Sequence, residues 1–361
     1  MSIKMKITIA LLAFACATFC SAADLSYAES RVVHSEILAA DKEIYIHVPE
    51  STGYPGRKYP VLYLLHGQWD MLPAVATLDL VAKTVPELMI VGIASDGPEL
   101  GIESSGDSAF AKFLVEELFT LIENQYPAAN YRILSGHSHS GRYVMHQWLT
   151  GSLPVNRYFA FSPSLEDGAI LSGVESRKAE QLARRKPLVL TMASEGEHML
   201  GPYKKIDAVL EPAMPGRYQA QHFPEETHRS TKHTSLKFAL HATFPDWAPS
   251  RKVKMAGAEG LRQHFETLSA RYGFTALPNV EMLQQVTALY SVSSSKERHA
   301  KLTPMFTYAL RDLAIAPSKF IEIVDYLDEN NYPEASRRYL AALCKVEAGI
   351  DSCGAVAPRE R

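Results

Sequence analysis

The stretch Tyr131-Arg-Ile-Leu-Ser-Gly-His-Ser-His-Ser-Gly141 joins a short apolar run to a helical pattern that extends to Leu149. A buried strand, a sharp turn on a serine and then a helix form the local structure in which a nucleophilic serine stands exposed at the end of a sheet. This turn is strained and closely packed, so it needs small residues two positions before and after Ser138. Gly136 and Ser140 meet that need. The stretch therefore favours a nucleophile elbow over an ordinary polar turn.

The region from about residue 31 to residue 248 alternates short apolar runs with longer amphipathic stretches. The runs are apolar at nearly every position, as parallel strands covered on both faces must be. A leading segment, residues 33–49, instead alternates apolar and polar residues and predicts an antiparallel hairpin. The predicted parallel strands are residues 61–65, 89–93, 131–135, 158–161 and 188–192. This order predicts the α/β class, with a mostly parallel sheet and flanking helices.

After Trp247 the short apolar runs give way to helical spacing. Apolar side chains recur at intervals of four, three and four, which places them on one helical face. We therefore predict an α/β domain over residues 24–250 and a small all-helical appendage over residues 251–361. The appendage is a candidate surface for a protein contact or an oligomer. The first residues with this spacing are Leu261, Phe265, Leu268 and Tyr272.

The first 23 residues have the pattern of a secretory signal peptide. Lys4 and Lys6 precede an apolar run over residues 7–19, which is shorter than the roughly 20 residues that span a bilayer. The small residues Ser21-Ala22-Ala23 then suit cleavage after Ala22 or Ala23. The alternative is a buried N-terminal helix. We predict a protein that is periplasmic or secreted, with no membrane insertion after the signal is removed.

Cysteine usage agrees with export. Removal of residues 1–23 also removes Cys16 and Cys20, which leaves Cys344 and Cys353 in the mature chain. Two thiols close in sequence in an oxidising compartment predict a disulfide, the alternative being two unpaired cysteines.

Composition excludes several classes of protein. Apolar residues make up 47% of the 361 residues and charged residues 21%, which are globular proportions and exclude a wholly disordered chain. The chain has 40 acidic and 37 basic residues, a formal charge of −3. It lacks the basic excess that would neutralise phosphates, so we expect no nucleic-acid partner.

A nucleophilic serine needs two further residues. A base must remove the hydroxyl proton, and a carboxylate must fix the tautomer of that base. In α/β-hydrolases the chain order is serine, acid, histidine. Glu195 and Glu197 both follow the predicted strand 188–192, so either carboxylate is a candidate acid, and His228 lies further on as the candidate base.

These motifs together resemble the putative esterase family of α/β-hydrolases, over roughly residues 30–248. That family includes siderophore-ester hydrolases of the enterochelin esterase type, which are the most similar in character, as well as feruloyl esterases and mycolyltransferases. The resemblance implies an exported serine carboxylic-ester hydrolase that works through an acyl-enzyme on a small-molecule ester and needs no cofactor or metal. The motifs are a strand ending in His66-Gly67, the Gly136-His-Ser-x-x-Gly141 turn, Phe161-Ser162-Pro163-Ser164-Leu165, the Glu after the next strand, and Phe223-Pro224-Glu225-Glu226-Thr227-His228.

The resemblance also implies the role of each site residue. Ser138 is the nucleophile, His228 the base and Glu195 the acid, with Glu197 as the rival for the acid. The oxyanion hole would use the backbone N–H of His139, directly after the nucleophile, and that of Gln68, in the loop after the first parallel strand.

The sequence departs from the family beside the expected site. Asp96 and Glu99 stand where relatives tend to have an Asn and basic residues, and Glu166-Asp167 replaces a common Trp. A pocket lined by these four carboxylates would repel an anionic ferric siderophore.

Three other functions use the same residues. His137 and His139, with His66 and His146, raise the possibility of a metal hydrolase, although residues on either side of a tight turn should point in different directions. An acyltransferase would use the same triad with an alcohol in place of water. A non-catalytic binding protein would keep the hydrolase only as a scaffold.

Overall fold

The computed structural model describes residues 26–49, 54, 56–102 and 108–355. The predicted signal peptide, with Cys16 and Cys20, lies outside the described residues.

The described residues build one sheet of eight strands in the order β1-β2-β4-β3-β5-β6-β7-β8. β1 pairs antiparallel with β2, and β2 with β4, while all pairs from β4 to β8 are parallel. The predicted leading hairpin and mostly parallel sheet are therefore confirmed. The strands are β1 Glu29–Ser35, β2 Ala40–His47, β3 Tyr59–Leu65, β4 Met89–Ile93, β5 Ala128–His137, β6 Arg157–Phe161, β7 Leu188–Met192 and β8 Tyr218–His222.

Helices cover both faces of this sheet. α1 and α8 pack on one face, and α2 to α7 pack on the other. A π-helical turn, Phe113–Leu118, joins α2 to α3. These helices are α1 Gly67–Val81, α2 Ala109–Lys112, α3 Phe119–Gln125, α4 His139–Thr150, α5 Ala169–Glu175, α6 Ala179–Leu182, α7 Glu197–Ala213 and α8 Thr231–Thr243.

All regular elements described between residues 251 and 355 are helical, as the spacing predicts. A π-helical turn, Tyr308–Asp312, follows α13, and a 3₁₀ turn, Asp351–Ala355, follows α15. Within the described ranges, no helix is both long enough and apolar enough to cross a bilayer. The helices are α9 Arg251–Ala256, α10 Ala258–Tyr272, α11 Val280–Val292, α12 Lys296–Ala300, α13 Leu302–Thr307, α14 Ser318–Glu329 and α15 Pro333–Val346.

The helical appendage shares its apolar core with the sheet face that α1 and α8 cover. The ring of Tyr131, near the start of β5, lies 5.2 Å from that of Phe274 and 6.3 Å from that of Tyr272. Ser138 follows the other end of β5, about 23 Å away at the usual rise of a strand. The appendage thus packs at the amino end of the sheet, and the predicted nucleophile lies at the carboxyl end.

Cys344 in α15 forms a disulfide with Cys353 in the final turn, with the Cα atoms 5.7 Å apart. The predicted bridge is confirmed, and it ties the last described turn to the last long helix.

Candidate active site

Ser138 lies between the end of β5 and the start of α4, with φ 61° and ψ −122°. A residue other than glycine is strained at positive φ, so neighbouring contacts must hold the backbone of Ser138 in this conformation. The Ser138 N–H donates to the carbonyl of Phe161 at 2.9 Å, and the Ser138 carbonyl accepts from the Arg142 N–H at 3.0 Å. The predicted strand, sharp turn and helix are all present.

The small residues on either side of Ser138 have distinct structural reasons. A Cβ atom on Gly136 would lie 2.5 Å from the Ser140 carbonyl oxygen, so only glycine fits there. The Ser140 hydroxyl accepts from the His137 N–H and donates to the His137 carbonyl, both at 2.9 Å. Ser140 therefore closes the turn with its side chain, which a glycine at this position could not do.

His228 and Glu195 form a hydrogen-bonded pair. His228 Nδ1 lies 2.5 Å from Glu195 Oε1, and the side chains are 41% and 11% exposed. Because a carboxylate only accepts, Nδ1 carries the proton and Nε2 is left available as a base. The loops that carry these residues are tied together, since the Ser194 N–H donates to the Glu226 carbonyl at 2.8 Å.

Glu197, the rival acid, is the first residue of α7 and points elsewhere. Its side chain is 81% exposed, and its Oε1 lies 3.7 Å from the Nζ of Lys204. Of the two candidate carboxylates, only Glu195 contacts His228.

His137 connects the turn at Ser138 to the loop that carries His228, a role that the sequence analysis did not recognise. Its Nε2 donates to the His228 carbonyl at 2.6 Å, and the two imidazole rings lie 4.5 Å apart. Within the part of the chain that the structure describes, Ser138 and His228 form no direct hydrogen bond. Such contacts are often long before substrate binds.

The two predicted oxyanion donors occupy equivalent places on neighbouring strands. β3 and β5 are paired, and each leads into a helix whose first turn carries Gln68 or His139. First-turn N–H groups have no partner within their helix and are available to an oxygen atom. A Cβ atom on Gly67 would lie 2.5 Å from the backbone of Gly92, so this turn also requires glycine.

The acidic residues beside the site differ from the sequence expectation. The Nζ of Lys42 contacts both oxygens of Glu99, at 2.8 and 2.7 Å, and Arg142 forms an ion pair with Asp167. Two of the four predicted carboxylates are therefore neutralised by cations. With Lys42 and Arg142 counted, the net charge of this group is −2 instead of −4, so the repulsion of an anionic substrate is weaker than the sequence predicts.

The histidines considered as metal ligands do not converge. The His137 ring faces the His228 loop, whereas His139 Nε2 lies 3.1 Å from the carbonyl of Gly97. Over residues 26–49, 54, 56–102 and 108–355, no group of three or more His, Cys, Asp or Glu side chains is placed to hold a metal ion.

The buried Asp70 forms an ion pair with the partly buried Lys232. The pair joins α1, which carries Gln68, to α8, which follows the His228 loop. Burial raises the pKa of Asp70, although Lys232 opposes the shift. The two residues are 162 positions apart, so no sequence pattern indicates the pair.

Two buried histidines near the turn stay neutral. Burial, with smaller contributions from His228 and Lys232, lowers the pKa of His137 from 6.5 to about 3. Burial, with His139 and Lys232, lowers the pKa of His66 to about 4.

We expect acid to destabilise the fold through His137. Between pH 6.5 and about pH 3 the unfolded chain binds a proton at this residue that the folded chain does not. The free energy of unfolding therefore falls as the pH falls below 6.5. Urea unfolding should show that His137→Gln narrows the stability difference between neutral pH and pH ~4.5 by about 2 kcal/mol. If the variant loses as much stability between these two pH values as the wild type does, His137 is not the source of the acid sensitivity.

A family model described as "Putative esterase" matches residues 35–234. The chain belongs to this esterase family. Apo-salmochelin esterase of Escherichia coli strain CFT073 is 26% identical over 201 residues, which cover 46% of this chain and 63% of that relative. The match thus spans less than two thirds of its length.

Solved structures share the fold of this esterase-family chain. An IroE-like serine hydrolase from Shewanella oneidensis has a TM-score of 0.63 at 22% identity, covering 77% of this chain and 98% of that one. An uncharacterised protein from Capnocytophaga ochracea has a TM-score of 0.58 at 15% identity, covering 88% and 93%. Each of these two alignments covers a larger share of the chain than residues 1–250 make up. The structural similarity therefore extends into the helical appendage.

Proposed function

We propose that this protein is an exported serine esterase that hydrolyses carboxylic esters of small molecules through an acyl-enzyme. The observation that carries the proposal is the short hydrogen bond from His228 to the largely buried Glu195, beside a serine held at positive φ. An imidazole with its tautomer fixed in this way is the arrangement that activates a serine hydroxyl. Membership of an esterase family supports the same chemistry.

In the proposed mechanism Ser138 attacks the ester carbonyl while His228 Nε2 accepts the hydroxyl proton. The N–H groups of His139 and Gln68 stabilise the oxyanion, and His228 then donates its proton to the departing alcohol. Water attacks the acyl-serine with His228 again acting as the base. Glu195 stabilises the imidazolium in both steps.

Export of the enzyme is part of this proposal and is supported by the pattern of residues 1–23. The Cys344–Cys353 disulfide is in keeping with an oxidising compartment. The substrate is proposed only as a small-molecule ester. The relative whose name includes apo-salmochelin makes siderophore esters a natural part of the first substrate panel.

Hydrolysis and acyl transfer are separated by one experiment. The purified mature protein is incubated with a panel of esters, with and without an added alcohol, and both acid and new ester are quantified. We expect acid to be released at the same rate without the alcohol. If product forms only when an alcohol is present, the protein is an acyltransferase, and if no ester is consumed, the proposed esterase activity is refuted.

A further inference from the structure

Helix α1 exposes a line of apolar side chains to solvent. Trp69, Leu72 and Leu80 are 63%, 56% and 72% exposed, and Ala76 is exposed between them. Their spacings of three, four and four place all four on one helical face. We call these four residues the α1 stripe.

The core does not account for the α1 stripe. The opposite face of the same helix already packs into the core through Met71, Ala74, Leu78 and Val81. A helix that is apolar on all sides is normally buried all round, and an exposed apolar patch usually marks a binding surface.

The α1 stripe starts at the proposed catalytic site. Trp69 directly follows Gln68, the proposed oxyanion donor, and its ring lies 5.1 Å from the ring of His66. The His66 N–H donates to the Ser95 hydroxyl at 3.0 Å, and His139, directly after Ser138, donates from Nε2 to the carbonyl of Gly97 at 3.1 Å, so both turns are bonded to the same short loop. From Trp69 to Leu80 the stripe runs about 16 Å along the helix.

The composition of α1 indicates what kind of ligand fits. Residues 67–81 include no Lys or Arg, whereas helices that bind anionic membrane surfaces are rich in both. The stripe is a single row of side chains that begins next to Gln68, so its shape and position match one extended chain leaving the catalytic site. An uncharged aliphatic chain that reaches out of the catalytic site fits both observations.

We infer that the α1 stripe is a subsite for the aliphatic chain of the ester substrate. The inference rests on the proposed function and deepens it. It names the substrate class as esters with a long uncharged aliphatic chain, since each methylene that the stripe buries adds to binding. The chain belongs either to the acyl group or to the alcohol.

The test compares chain lengths in two series, p-nitrophenyl esters of increasing acyl length and acetates of increasing alkyl length. In at least one of the two series kcat/KM should rise with chain length. In that series Trp69→Gln should lower the ratio of long-chain to short-chain kcat/KM by about 10-fold. Leu80→Gln should lower it only for the longest chains. The control is Leu289→Gln, a 45% exposed apolar residue on α11, which should leave the ratio unchanged.

Binding can be measured without turnover. Trp69 is the exposed one of the three tryptophans, since Trp148 and Trp247 are 1% and 5% exposed. In a Ser138→Ala protein, methyl decanoate should shift the tryptophan emission to shorter wavelength, and methyl acetate should not.

A ratio that Trp69→Gln leaves unchanged in both series, or an emission that does not respond, overturns the inference while ester hydrolysis itself stands. The inference is also overturned if Trp69→Gln changes only self-association, measured by sedimentation, or only binding to vesicles. If the wild-type protein consumes no ester but methyl decanoate still shifts its tryptophan emission, the proposed function is refuted. The α1 stripe is then still a binding site for an aliphatic chain.

Discussion

Ser138→Ala is expected to abolish ester hydrolysis, and His228→Ala to lower kcat by about 10⁴-fold or more. The hydroxyl of Ser138 is the only proposed nucleophile, and without His228 it keeps its proton at neutral pH. Initial rates on a short-chain ester, with circular dichroism to confirm folding, measure both effects. Residual activity from the oxyanion donors alone should remain small.

Covalent labelling provides a second readout for the same pair. A fluorophosphonate should modify Ser138, as located by mass spectrometry, and neither variant should be labelled at a comparable rate. Ser194→Ala is the matched control, because Ser194 is an exposed serine beside Glu195 that contributes only its backbone N–H to the loop. Full activity in Ser138→Ala would refute the serine hydrolase proposal.

The contacts of His228 in the structure support this prediction. His228 is bonded to Glu195 and fixed through its backbone by His137, while its Nε2 is not engaged with Ser138. The hydrogen bond from Ser138 to His228 Nε2 that the mechanism needs therefore has to form when substrate binds.

The sharp turn at Ser138 could be predicted from sequence because all its determinants are local. A buried strand, Gly136, Ser140 and a helix lie within about twenty residues, and each has a direct steric or hydrogen-bonding reason. The Cys344–Cys353 bridge was predictable for the same reason, since its partners are nine residues apart.

Features that depend on distant or marginal signals were not predictable. β8, Tyr218–His222, is an edge strand with polar residues on both faces, so no apolar run predicts it. The pairing of Glu99 with Lys42 joins residues 57 positions apart. Local sequence shows a carboxylate there but not the cation that neutralises it, which is why the charge beside the site was overestimated.

Glu195 and Glu197 are only two residues apart, and the sequence alone does not show which of them faces His228. Both follow β7 in sequence, but α7 begins at Glu197 and turns that side chain into solvent, while Glu195 stays in the loop at 11% exposure against His228. The start of the helix therefore decides which carboxylate faces the imidazole.

Glu195→Gln should accordingly be severe and Glu197→Gln mild. The amide keeps the shape of the side chain but can hold His228 in the wrong tautomer and cannot stabilise the imidazolium. The corresponding change in serine proteases costs roughly 10⁴-fold in kcat. Glu197→Gln removes only an exposed contact with Lys204 and should leave kcat within about twofold, since surface ion pairs contribute little. Rates of both variants on one ester test the assignment. A crippled Glu197→Gln beside an active Glu195→Gln would reverse the two carboxylates and leave Ser138 and His228 in their roles.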